Sequence, residues 1–275
     1  MLQRWLGVIL LALLLSGCGA KFAYNNLSLI SPWYVDDYID LTESQQPIFD
    51  RHLQRLHQWH RESELPQYRQ LFSDLHQHLQ QAELDPQLLR IKISRLRGHW
   101  NTLIQQSSPA IIELSATLSE KQRLDFFEAL EERNQKRLQR ADTPAEHKQE
   151  SVERIEKWMG SLTKQQRQWV ESFAVENPDL TQETVAAHRA FQAQLAALLA
   201  QSSAPDFPSK LRLLLSDALG SSAEGERLNT LREQQLDSRV GLFLRLWSSA
   251  SDNQKRKVRS RLKGYIDDID DLMGL

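Results

Sequence analysis

The chain has one cysteine in 275 residues, which excludes an internal disulfide framework and any cysteine-based zinc site. It has ten glycines, only eight of them beyond Gly17, and none forms a GxG. Gly220 and Gly225 have phosphate-loop spacing, but Glu226 stands where a lysine is needed, so nucleotide-binding loops are excluded. No GxSxG or SxxK nucleophile elbow occurs. Net charge is nearly absent too: −2 overall, with a pI near 6.5. That leaves no electrostatic footprint for nucleic acid. Long apolar runs are missing, the longest being Trp5 to Leu15, well short of the ~20 residues that span a bilayer. Val, Ile and Thr together number only 28, too few for a protein built on sheets.

What is present is helix-forming. Leu occurs 45 times and Gln 27 times, and both lose little rotamer freedom in a helix. With 40% hydrophobic and 25% charged residues, the chain is neither disordered nor a multi-span membrane protein. Apolar positions recur at helical spacing along its whole length. Phe49, Leu53, Leu56 and His60 share a face, as do Leu65, Tyr68, Phe72, Leu75 and Leu79. The clearest stripe is Leu89, Ile93, Leu96, Trp100 and Leu103; others run from Val152 to Leu162, Leu236 to Trp247 and Val258 to Leu272. One-sided stripes need partners, so the expected fold is all-α, a multi-helix bundle or layered helical array. Helix breaks are expected at Glu64–Pro66, Ser107–Pro109, Ala141–Pro144, Asn177–Thr181 and Gln201–Pro208. Residues 31–275 read as a single helical domain, with a possible internal boundary near 201–208.

The amino terminus reads as an address. Arg4 precedes the apolar run, which ends in Leu15-Ser16-Gly17-Cys18. This resembles the lipobox of bacterial lipoproteins. The resemblance implies that residues 1–17 are a signal peptide, that Leu15, Ser16 and Gly17 are read by the signal peptidase, and that Cys18 carries the acyl chains. By the enterobacterial sorting rule, Gly19 implies the periplasmic face of the outer membrane. Residues 18–30 would form a short tether, apolar at Phe22, Tyr24, Leu27, Leu29 and Ile30. Such a tether either docks on the helical domain or meets the membrane interface through its aromatic residues.

A short element recurs as Leu41-Thr42-x-x-Gln45, Leu118-Ser119-x-x-Gln122 and Leu162-Thr163-x-x-Gln166, with a degraded copy at Ser251-x-x-Gln254. Each reads as a capping box, in which Ser or Thr accepts from the backbone and Gln reaches back to the cap's own N–H. Glu fills that role as well as Gln, so the pattern predicts that Gln45, Gln122 and Gln166 tolerate Glu. Leu-Thr-x-x-Gln also resembles the signature of the Spy and CpxP periplasmic chaperones, over five residues per copy.

From Tyr24 to Tyr68 the chain carries Tyr24-Asn25-Asn26-Leu27, Trp33-Tyr34-Val35-Asp36-Asp37-Tyr38-Ile39-Asp40-Leu41-Thr42, Trp59-His60-Arg61 and Glu64-Leu65-Pro66-x-Tyr68. With the lipobox, this order resembles an uncharacterised family of Gram-negative lipoproteins, a domain of unknown function, and implies an envelope lipoprotein. Within the pattern, Trp33, Tyr34, Asp36, Asp37, Asp40, Trp59, His60 and Arg61 are the candidate interaction residues.

His57, His60 and Glu64 lie at i, i+3 and i+7, a spacing that offers one helical face to a metal, but Arg61 opposes a cation and a polar cluster is the expected outcome. The acidic run Asp36, Asp37, Asp40 and Glu43 is echoed by Asp267, Asp268, Asp270 and Asp271. Residues 255–263 hold six basic residues and read as a solvated helix or a contact for lipid headgroups. No catalytic residue, metal or cofactor is expected, and neither nucleic acid nor nucleotide as a partner. The expected role is a non-catalytic interaction or scaffolding module at the outer membrane that binds another envelope protein, with a chaperone as the alternative. An exposed apolar concavity favours the chaperone.

Overall fold

A computed structural model of the chain describes residues 17–275 apart from 218, 219 and 221. Leu15 and Ser16 lie outside the described residues, as does the side chain of Cys18. All regular structure among the described residues is helical.

Residues 18–30, read as a tether, belong to two helices, α1 (Gly17–Asn25) and α2 (Leu27–Asp36). Next comes a long rod: α3 (Gln46–Trp59), a π-helical turn (His60–Glu64) and α4 (Leu65–His78). The break expected at Glu64–Pro66 is thus a change of winding, because Pro66 sits in the first turn of α4, where its missing N–H has no partner to lose. Asp85 caps α5 (Pro86–Ser115), accepting from the N–H groups of Gln87 and Leu88 at 2.8 and 3.3 Å. Helix α5 runs back along the rod, with His52 against Glu113, Glu64 against His99, and Asp74 against Lys92.

The break expected at Ser107–Pro109 does not occur: α5 continues through Pro109. An interior proline removes one hydrogen bond and costs about 3 kcal/mol. Packing of α5 on α3 at one side and on α10 (Phe207–Ser216) at the other outweighs that loss. The hydroxyls of Ser107 and Ser108 donate to the carbonyls of Leu103 and Ile104 at 2.8 and 3.1 Å, in the turn that the proline weakens.

The remaining helices are α6 (Glu120–Gln139), α7 (Pro144–Met159), α8 (Lys164–Glu176), α9 (Thr181–Leu199), α11 (Ala223–Ser249) and α12 (Asp252–Met273). They fill two cores at opposite ends of the rod. One joins Leu79, Val152, Met159, Val170, Leu246, Trp247, Val258 and Leu262, and is extended along α5 and α11 by Leu89, Leu236 and Val240. The other joins Leu195, Leu199, Phe207, Leu211, Leu214 and Leu215 to Ile104, Ile111, Phe126 and Phe127. Because α9 and α10 share this second core, the stretch near 201–208 is a turn inside one packed unit, with no boundary there.

The stripe on α5 departs from expectation. Leu89 is buried, but Ile93, Leu96 and Trp100 are exposed, with Ile91 beside them. Between residues 91 and 101, α5 bridges the two cores, and nothing packs over its outer side.

Candidate interaction site

The glutamines of the recurring element do more than cap. Ser119, Thr163 and Ser251 are full capping boxes, so the copy that looked degraded is intact. The first copy is the incomplete one. Thr42 N–H donates to Gln45 Oε1 at 3.0 Å, but the Thr42 hydroxyl meets Ser44 and the helix starts only at Gln46.

Each glutamine then reaches a second glutamine far away in sequence. Gln166 Nε2 donates to Gln254 Oε1 at 3.2 Å and Gln254 Nε2 returns a bond to Gln166 Oε1 at 3.0 Å. The same oxygens accept the N–H groups of Thr163 and Ser251, each at 3.0 Å. The spare amide hydrogens go to Ser249 Oγ at 3.1 Å and to the Ser161 carbonyl at 3.0 Å. Gln45 and Gln122 form the matching cycle at 3.2 and 2.7 Å, with outward bonds to Thr117 and to the Asp40 carbonyl. All four side chains are buried, and every one is engaged by protein. Two helix starts are thereby locked head to head, twice. The tolerance for Glu predicted from capping alone does not survive this geometry, since Glu has no N–H to return.

A second constellation joins α1 to the rod. Lys21 binds Asp268 at 2.9 Å and also Asp271, on α12; these carboxylates hold the lysine firmly protonated. The acidic echo at 267–271 is therefore the seat of α1, and Asp270 of the same run pairs with Arg69 on α4. Tyr24 OH lies 3.0 Å from His60 Nδ1, its ring 4.6 Å from that of His57. Arg61 donates to Asn25 Oδ1 at 2.8 Å and lies over the Tyr24 ring. Behind them Tyr68 packs edge-on against His99, which bonds Glu64 Oε2 at 2.7 Å. The π turn aims Glu64 inward at His99, so it does not join His57 and His60 in a ligand set. Among the described residues no three His, Cys, Asp or Glu side chains stand close enough to hold a metal ion.

Burial holds the His57 imidazole below its ordinary value, helped by Arg61. Burial also lowers His60, opposed by Glu64. Both histidines stay neutral in the fold at a pH where the unfolded chain protonates them, so stability is full above about pH 6.5 and declines as the pH falls from there. The melting temperature should drop between pH 7 and 5, before the carboxylates titrate. A His57→Gln/His60→Gln variant should flatten that slope in part, with His188, also lowered by burial, keeping the remainder. An unchanged slope would refute the assignment.

The other candidate residues do not converge with this junction. Trp33, Tyr34, Asp36 and Asp37 lie exposed on or beside α2, Asp40 lends its carbonyl to Gln122, and Trp59 packs beside His60. Asp37 and Tyr38 instead border a shallow hollow with Arg133, Lys136, Arg137 and Arg140 of α6. That hollow leads, through Arg140 and Thr181, to a cleft of about 990 Å³ between the two cores. Ser94, Gly98 and Asn101 of α5 form its floor and Trp100 its rim, while Asn177, Thr184, Asn229 and Gln235 line it with polar groups.

Residues 37–221 match a family of unknown function, DUF6279. The chain belongs to this family. No curated protein and no solved structure matches it. In this DUF6279 chain the match begins inside the Trp33–Thr42 pattern and takes in the rod, all of α5 to α10, and the Gln45–Gln122 pair. The cleft and the exposed part of α5 were not anticipated. The signal available for them was Gly98 between Ser94 and Asn101, small and polar residues at i, i+4 and i+7 where a buried face would carry leucines.

Proposed function

We propose that this DUF6279 protein is a lipoprotein held at the periplasmic face of the outer membrane through acyl chains on Cys18, and that it acts without catalysis, by binding another envelope protein. The single observation that carries the binding role is the exposed row Ile91, Ile93, Leu96 and Trp100 at the rim of the cleft. Exposed apolar groups rimmed by polar ones mark contact surfaces. The lipobox supports the anchor; cleavage before Cys18 leaves α1 to begin at the lipidated residue. Cys18→Ala should leave uncleaved precursor and abolish [³H]palmitate labelling, and a labelled mutant that still fractionates with the outer membrane would reject the anchor.

The same open row supports a second reading, a holdase for unfolded envelope proteins. The buried glutamines weigh against a Spy-like use of the Leu-Thr-x-x-Gln elements, because their side chains are spent on one another. A photocrosslinking amino acid at Trp100, activated in intact envelopes, separates the two. A specific partner gives one discrete adduct, whereas a holdase gives a smear of many masses. No adduct at all would reject this face as a binding surface.

A further inference from the structure

The first two helices turn a second apolar surface outward. Phe22 is 65% exposed, Leu29 67%, Trp33 71% and Tyr34 57%, all within thirteen consecutive positions. The opposite side of the same segment is fixed. Lys21 is tied to Asp268 and Asp271, Tyr24 to His60, and Asn25 to Arg61, while Ser31 is buried. The exposed side therefore cannot roll inward to be covered by the domain.

We infer that this surface, Phe22, Leu29, Trp33 and Tyr34, lies in the lipid interface of the membrane and sets the domain's orientation on it. The inference rests on the lipid anchor at Cys18. In helical register position 18 is one turn before position 22, about 6 Å along the axis, and residues at i and i+4 share a face. Acyl chains carried at position 18 enter the leaflet, so Phe22 is held at the depth of the headgroups and upper acyl chains, where interfacial helices bury their apolar side by about 5–10 Å. The residue types suit that layer, since Trp and Tyr place an apolar body in lipid and a polar edge in water. The contact ends where Asp36, Asp37, Asp40 and Glu43 begin, because carboxylates are expensive to bring into lipid. The basic run on α12 is not needed for this contact: Lys263 pairs with Asp267, Arg259 donates to the Leu79 carbonyl, and Arg261 lies over Trp158.

The full-length lipidated protein, reconstituted into phosphatidylethanolamine/phosphatidylglycerol vesicles with brominated acyl chains, tests this. Flotation reads the anchor, and tryptophan quenching by bromine reads the face. Trp33 is one of seven tryptophans, so Trp33→Phe isolates its share. The expected result is flotation of both proteins, with part of the native emission quenched and the Trp33→Phe emission no weaker than in unbrominated vesicles. A Phe22→Ser/Leu29→Ser variant should float and lose most of the quenching. Floating protein whose native emission ignores the bromine, including protein that hides this face against a second copy, overturns the inference and leaves the anchor standing. Equal quenching of native and Trp33→Phe does the same. Protein that does not float removes the anchor and, with it, the inference.

Discussion

A Gln166→Glu variant should melt roughly 5–15 °C below the parent, although the change swaps one atom and keeps the capping acceptor. The Glu oxygen can still accept from Thr163 N–H. What disappears is the amide donor to Gln254 Oε1 and Ser249 Oγ, and what arrives is a charge at a position 1% exposed. A buried acceptor left without its donor costs about 1–3 kcal/mol, and more when charge is added; about 2–4 kcal/mol corresponds to that shift for a chain of this size. The double variant Gln166→Glu/Gln254→Glu sets two carboxylates in contact and should be the least stable at pH 7, recovering in part at acid pH, where one protonated carboxyl becomes a donor. Thermal melts at both pH values check this. A single Glu variant that melts with the parent would show that the amide cycle contributes nothing beyond the caps.

His99→Ala should destabilise the protein by about 3–5 kcal/mol, because it strips the partner from a Glu64 that is 1% exposed. The remaining contact, Gln67 Nε2 at 3.5 Å, is too long to compensate. Glu64→Gln keeps an acceptor for His99 and carries no charge, so it should cost no more than about 1.5 kcal/mol. Urea unfolding of the two variants compares them directly. A loss below about 1 kcal/mol in His99→Ala would mean that Glu64 does not depend on this bond.

The helices were legible because a leucine-rich one-sided stripe admits few other outcomes. So were the breaks at Ala141–Pro144 and Asn177–Thr181, where turn residues and proline coincide. The glutamine pairs were only half legible. Capping is a bond over three residues and leaves a spacing in the sequence, whereas the pairing joins positions 77 and 88 residues apart and leaves none. Pro109 misled for a related reason: local propensity marks a break, and tertiary packing on both sides of α5 overrides it. Ile93, Leu96 and Trp100 misled in the other direction. Periodicity reports that a helix has an apolar face, but not that something covers it. Among the candidate residues, His60 and Arg61 do meet a common neighbour in Tyr24, whereas the aspartates read as interaction residues hold no common ground with them.

The π turn at His60–Glu64 has an arithmetic consequence. Each residue advances an α-helix by about 100°. The apolar steps along the rod run four, three and four from Phe49 to His60, then three, four, three and four from Leu65 to Leu79. Between His60 and Leu65 the step is five, and it is there that the Leu65 N–H bonds back to the His60 carbonyl, five residues away. The turn is a phase correction: it absorbs one surplus residue so that two stripes out of step can face the same neighbours. Removing a single residue, Ser63 for instance, would restore uninterrupted winding and swing all of α4 round by about 100°. Leu71, His78 and the Asp74 partner of Lys92 would leave their places together while α3 stayed in its own. Neighbouring single-residue deletions, which at most helix positions act alike, should here be judged by whether they fall inside the five residues that carry the slip.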